Sequence, residues 1–157
     1  MICLYPSRLL AFSLAAFVAV LASAPAPLAA AEIVPGPVAA KVVRVVDGDT
    51  IAVTAQVWIG LSITINVRIR GIDTPEIRGS CPYEKTLAIA ARDRLALLSG
   101  GAVRLANVEN DKFGGRVVAD VSGGEGVDLG TAMIAGGFAR SYSSGPRDPW
   151  CPHPRGG

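Results

Sequence analysis

The chain has 157 residues, 50% of them apolar and 18% charged, and its 15 lysines and arginines against 13 acids leave a formal net charge of +2. A balance so near neutrality excludes nucleic-acid affinity from bulk basicity, so any polyanion site must be a local cluster of cations. Three cysteines exclude a disulfide-dense scaffold, and the length sets the scale at one modest core.

Arg8 is followed by an apolar run, Leu9 to Ala24, that is short for a membrane span and ends in small residues, the pattern of a signal peptide. Cleavage is expected after Ala29-Ala30-Ala31, with Ala22-Ser23-Ala24 as a second site and a retained N-terminal anchor as the other reading. Residues 1–31 are thus expected to be a cleaved leader and the protein to be secreted or periplasmic, with no stable membrane association afterwards. Subtracting 31 residues from 157 leaves 126, and losing Arg8 takes 15 cations to 14 against 13 acids, a net charge of +1. Cys3 leaves with the leader. Cys81 and Cys151 remain as an even pair, expected to bridge in an oxidising compartment. Closing a loop of about 70 residues stabilises a fold by up to ~4 kcal/mol in the chain-entropy account. A metal held by Cys151 and His153 has too few ligands.

Residues 32–40 are Pro/Ala-rich and are expected to be a flexible lead-in to a domain spanning 41–142. Lys41 to Val46 reads as a first strand, Asp47-Gly48 as a tight hairpin turn, and Ile51 to Val57 as a second strand. From Ile63 to Arg70 the text alternates strictly, with Ile63, Ile65, Val67 and Ile69 on the core face and Thr64, Asn66, Arg68 and Arg70 on the other. Gly71 to Ser80 is loop. Pro82-Tyr83-Glu84 opens a helix running to about Leu98, amphipathic through Leu87, Ala91, Leu95 and Leu98, and Ser99-Gly100-Gly101 stops it. Ala102 to Val108 and Arg116 to Val121 are two further strands, and Asp128 to Gly136 is a short helix with Asp128 near its N-cap. The tail, 143–157, is rich in Gly, Pro and Ser and expected to be irregular, tied down through Trp150 and Cys151. Three strands, a helix, two strands and a helix make an α+β, mainly β protein. That order suits a five-stranded OB-type barrel with a helix after the third strand.

Cutting a phosphodiester needs an in-line nucleophile and relief of charge on the phosphoryl oxygens, hence carboxylates to hold a cation and guanidinium forks to grip phosphate. Asp49 follows the hairpin turn, and Asp73-Thr74-Pro75-Glu76 follows the third strand. Pro75 drives Thr74 into extended geometry, leaving its carbonyl available and spacing two carboxylates along one bend. Oxygen donors of this kind suit calcium rather than zinc. Arg68, in the strand leading to Asp73, and Arg116, just past the Lys112 to Gly115 loop, stand ready to flank a phosphate.

Each signal alone is weak, but their joint order, Val46-Asp47-Gly48-Asp49-Thr50, Arg68, Asp73-Thr74-Pro75-Glu76 and Asp111 to Arg116, resembles the staphylococcal nuclease family from about Lys41 to Tyr142. The resemblance implies a calcium-dependent nuclease that hydrolyses DNA and RNA by attack of water on phosphorus, leaving 3′-phosphate ends. It implies that Asp49, Asp73 and the Thr74 carbonyl bind Ca2+, that Glu76 orients or deprotonates the water, and that Arg68 and Arg116 bind phosphate. Lys112, Phe113 and Tyr142 are the substrate-contact candidates, and nothing calls for more than a monomer.

Three departures stand out. Gly114-Gly115 precede Arg116 where the type member has one glycine, a pair expected to absorb the insertion. The segment Ile77 to Cys81 is much shorter than the type member's mobile loop. Phe113 replaces a tyrosine, keeping a stacking ring without its hydroxyl. The rival readings are a non-catalytic OB-fold module binding nucleic acid or protein, and an exported interaction domain with a fortuitous acid cluster.

Overall fold

The computed structural model describes residues 32–152; the expected leader, 1–31, and His153 lie outside them. In chain order the elements are β1 (Ile33–Val34), β2 (Val38–Val45), β3 (Thr50–Trp58), β4 (Leu61–Ile69), β5 (Ile72–Asp73), α1 (Pro82–Ser99), β6 (Ala102–Asn110), β7 (Arg116–Ser122), α2 (Leu129–Ala135) and β8 (Arg140–Ser141). Strands β2, β3, β4, β7 and β6 pair in that succession, and β6 returns to β2. The result is a closed five-stranded barrel of OB type, in which β4 and β7 run parallel and the other pairs antiparallel. Closure leaves the long strands without free edges, which would otherwise have to be shielded.

Alternation fills the barrel. Ile51, Val53 and Ala55 of β3, Val67 and Ile69 of β4, Val103 and Leu105 of β6, and Ala119 and Val121 of β7 form one buried cluster. Ala91 and Leu95 of α1 and Leu129 and Met133 of α2 complete it. Full burial of a side chain such as Leu95 is worth about 1.5–3 kcal/mol. Helix α1 begins at Pro82, whose missing N–H is no loss in a first turn, and ends at Gly100 in the left-handed conformation. Asp128 caps α2 by accepting the Thr131 amide at 2.7 Å.

The structure departs from the sequence reading in three places. Ile63, assigned to the core face, is 44% exposed, because the β3–β4 hairpin overruns the strands that close the barrel. The 32–40 lead-in is partly taken into the sheet: β1 pairs with β6, and β2 starts at Val38, since its backbone groups find partners on β6. The short β5–β8 ribbon, invisible to periodicity at two residues a strand, ties the segment just ahead of the tail to the turn after β4.

Candidate active site

The first site turn is closed by the Val46 amide donating to Thr50 O at 2.8 Å and by the Asp49 amide donating to Asp47 Oδ1 at 3.1 Å. Asp49 is buried, and both its oxygens are engaged. Thr50 Oγ1 donates to Oδ1 at 2.7 Å and Arg68 Nη1 donates to Oδ2. This contact follows from register, because Thr50 and Arg68 are cross-strand partners and the residue before Thr50 falls within the guanidinium's reach. Arg68 Nη2 also donates to Ile72 O at 3.0 Å, joining the turn to the next segment. Burial, then the charge of Asp49 and a side-chain hydrogen bond with it, push the Asp47 carboxyl up to about 6.

The second turn, Asp73 to Glu76, starts on β5 with Asp73, Thr74 and Pro75 all buried. It abuts the first: a Cβ on Gly48 would stand 2.9 Å from Thr74 Cβ and 2.8 Å from Ala91 Cβ, so only glycine admits this approach. Behind the turn, buried Glu84 of α1 accepts the Glu76 amide at 3.3 Å and the Ser80 amide at 3.1 Å, holding the short 76–80 loop to the helix. Asp73 Oδ2 accepts Trp150 Nε1 at 3.0 Å, and Arg147 reaches Asp73 Oδ1 through Nε at 3.0 Å and Glu76 Oε1 through Nη1. Burial acts to lower the Arg147 pKa, but the Glu76 hydrogen bond and the charges of Asp73, Glu76 and Asp49 outweigh it and raise the pKa. All three predicted acids thus lie in the field of one guanidinium.

Arg116 opens β7 directly after Gly115, whose φ of +77° turns the loop. Its Nε donates to Asp111 Oδ2 at 2.6 Å, and the guanidinium lies 5.1 Å from the Phe113 ring centroid. Lys112 flanks the same ring at 5.2 Å. For Asp111 burial acts upward, but the hydrogen bond and charge of Arg116 and the Phe113 and Lys112 amides leave its carboxyl below the usual range. In the parallel β4–β7 ladder Asn66 faces Arg116 and Arg68 faces Val118, so Arg68 and Arg116 are diagonal neighbours on one face. The glycine pair has therefore not displaced Arg116 from the face that carries Arg68. Arg70, which shares its strand face with Arg68, is instead bound by Glu109, Asp120 and the Asn107 carbonyl. Tyr142 donates its amide to Gly71 O at 2.9 Å and its hydroxyl to Gly145 O at 2.7 Å, and its ring lies 5.9 Å from Arg147.

The structure therefore brings Asp49, Asp73, Thr74 and Glu76 together on two touching turns, with Arg68 of β4 bound to Asp49 and Arg116 at the start of β7 diagonal to Arg68, beside Lys112 and Phe113. Asp49, Asp73 and Glu76 do not close into a three-carboxylate knot. Among the described residues, the three-residue group whose candidate ligand atoms all fall within 4.8 Å of one another is Cys81, Glu84 and Cys151. That group is no calcium site, because its sulfurs are joined in the Cys81–Cys151 bridge, with Cα atoms 6.1 Å apart. The oxygen set fits a hard cation better. Asp73 Oδ1 is buried with no hydrogen bond, although Arg147 Nε stands 3.0 Å away, because the N–H is not aimed at it. A charge in contact without a directed donor leaves that oxygen open to coordination.

Arg147 and Trp150 were not singled out by the sequence as site residues. A signal was present: Cys81 lies five residues beyond Glu76, and Cys151 lies four beyond Arg147, so the expected bridge already folded the tail onto the acids. Comparison with known families gives a match to the staphylococcal nuclease homologue model over residues 66–149, more than half of the chain. The match takes in Arg68, the Asp73 to Glu76 turn, Arg116 and Arg147, while Asp49 lies ahead of it. No curated protein matches the chain. The chain belongs to the staphylococcal nuclease homologue family.

Proposed function

We propose that this member of the staphylococcal nuclease family is an exported, monomeric, calcium-dependent nuclease that hydrolyses phosphodiester bonds of DNA and RNA and leaves 3′-phosphate ends. The supporting observation is the abutment of the two turns at Gly48 and Thr74, which sets the Asp49 and Asp73 turns side by side. Asp49, Asp73 and the Thr74 carbonyl are the residues that would hold calcium, which when bound supplies Lewis-acid polarisation and neutralises charge on the phosphoryl oxygens. Glu76, 54% exposed at its side chain, accepts a proton from water and orients it toward phosphorus. Arg68 and Arg116, on one face, grip the phosphoryl oxygens as charge builds, each fork able to meet two oxygens at once. Phe113, more than half exposed beside Lys112 and Arg116, offers a stacking surface for a base.

The test is cleavage of single-stranded DNA and of RNA in calcium, with and without chelator, alongside Glu76→Gln. Chelator-sensitive cleavage that falls by about 100-fold or more in Glu76→Gln supports the reading, in line with general acid-base contributions of ~10²–10⁴. Retarded migration of nucleic acid without cleavage in calcium would instead favour a binding module.

A further inference from the structure

We infer that Arg147 is a built-in counter-cation of the acid site, carried on the strap 143–151 and seated between Asp73 and Glu76 until a divalent cation displaces it. The inference rests on the calcium reading above and adds a competitor supplied by the chain itself.

The strap is a made structure. One end is fixed by Tyr142, whose amide donates to Gly71 O and whose hydroxyl donates to Gly145 O. The other is fixed by the Cys81–Cys151 bridge and by Trp150 Nε1 on Asp73 Oδ2. Between them, the Arg140 guanidinium lies 3.7 Å from the Trp150 ring centroid and donates to Pro149 O at 3.3 Å. Arg147 itself is 40% exposed at its side chain yet contacts both acids, so it can leave for water without unpacking a core.

Direct occupancy decides the outcome of the competition. Arg147 Nε stands 3.0 Å from Asp73 Oδ1 and Nη1 donates to Glu76 Oε1, so a cation that coordinates Asp73 has to enter where the guanidinium sits. A dication brings twice the guanidinium's charge to the same carboxylates and repels it at contact distance, whereas a monovalent ion brings no more charge than the group it would replace. The misdirected Arg147 Nε contact on Asp73 Oδ1 adds to this, because the seated guanidinium neutralises that oxygen without hydrogen-bonding it. Since the strap stays tethered at both ends, Arg147 remains at high local concentration and sets the affinity threshold of the site.

Calorimetric titration of calcium into the cation-free protein tests this, together with Arg147→Ala, Arg147→Lys, Asp73→Asn and Arg78→Ala. Arg78 is an exposed cation two residues from Glu76 and outside the contact. Arg147→Ala is expected to bind calcium roughly tenfold more tightly than wild type, the low end for a charge-assisted contact of ~1.5–3 kcal/mol. Arg147→Lys is expected to stay within about threefold of wild type, Arg78→Ala within about twofold, and Asp73→Asn to lose binding. Affinity unchanged or weakened in Arg147→Ala, or raised equally in Arg78→Ala as a general field effect, overturns the inference and leaves the calcium reading standing. No calcium binding by any variant, wild type included, brings down both. Melting temperatures of the cation-free variants check that each is folded.

Discussion

Replacing Gly48 by alanine tests the contact on which the site depends. The new Cβ would lie 2.8 Å from Ala91 Cβ and 2.9 Å from Thr74 Cβ, whereas carbon atoms pack comfortably at ~3.5–4.0 Å. Both obstructing atoms are Cβ atoms, so relief requires α1 or the Thr74 turn to move by several tenths of an ångström. Overpacking of this kind costs ~1–3 kcal/mol. Gly48 is not among the glycines with positive φ, so alanine also gains ~0.4–1 kcal/mol by restricting the unfolded chain. The net expectation is a loss of about 1–2 kcal/mol, seen as a fall of roughly 3–12 °C in melting temperature for a domain of this size. The displaced turn parts Asp49 from Thr74, and cleavage at saturating calcium is expected to drop about 10–100-fold, as for other sub-ångström to 1 Å misplacements. Gly124→Ala is the control, because a Cβ there meets nothing within 4 Å and its φ is not positive. If Gly48→Ala matched Gly124→Ala in both melting temperature and rate, the two turns would not be packed as described.

Arg68→Ala leaves buried Asp49 without its cation and is expected to destabilise the cation-free protein by about 2–3 kcal/mol, the lower side of a broken buried pair, since Arg68 retains some exposure. Calcium should then raise the melting temperature of this variant more than that of wild type, because the ion meets an uncompensated carboxylate; equal shifts would contradict the Asp49 assignment. Asp47 titrates near 6 when folded and near 3.8 otherwise, so its contribution is fully present below about 3.8 and is lost as pH rises through 6. Without calcium, Asp47→Asn is therefore expected to gain stability over wild type by about 1–3 kcal/mol at pH 7.5 and nothing at pH 3.5, read from denaturant midpoints at the two values. Cys151→Ser opens a loop with a sequence separation of 70 and should cost up to ~4 kcal/mol, with wild type falling to the same melting temperature when a thiol reductant is added.

The amino-acid sequence by itself determined the barrel, because strict alternation in 63–70, Asp-Gly and Gly-Gly punctuation and one long amphipathic helix are local signals of period 2 and 3.6. It also marked the Asp49 and Asp73 to Glu76 turns and the two arginines, Arg68 and Arg116, proposed to bind phosphate, since residue order along short turns survives folding. It did not separate Arg68 from Arg70, which stand on one strand face: cross-strand register gave Arg68 the site's Asp49 and gave Arg70 the remote Glu109 and Asp120. Nor did it assign Arg147 to the acids or Glu84 to the loop amides. Those contacts span 71 and eight residues, and they exist because a barrel, a helix and a bridged tail meet at one point. Periodicity reports which face a side chain takes, whereas the identity of the charge opposite it is settled only when distant segments pack together.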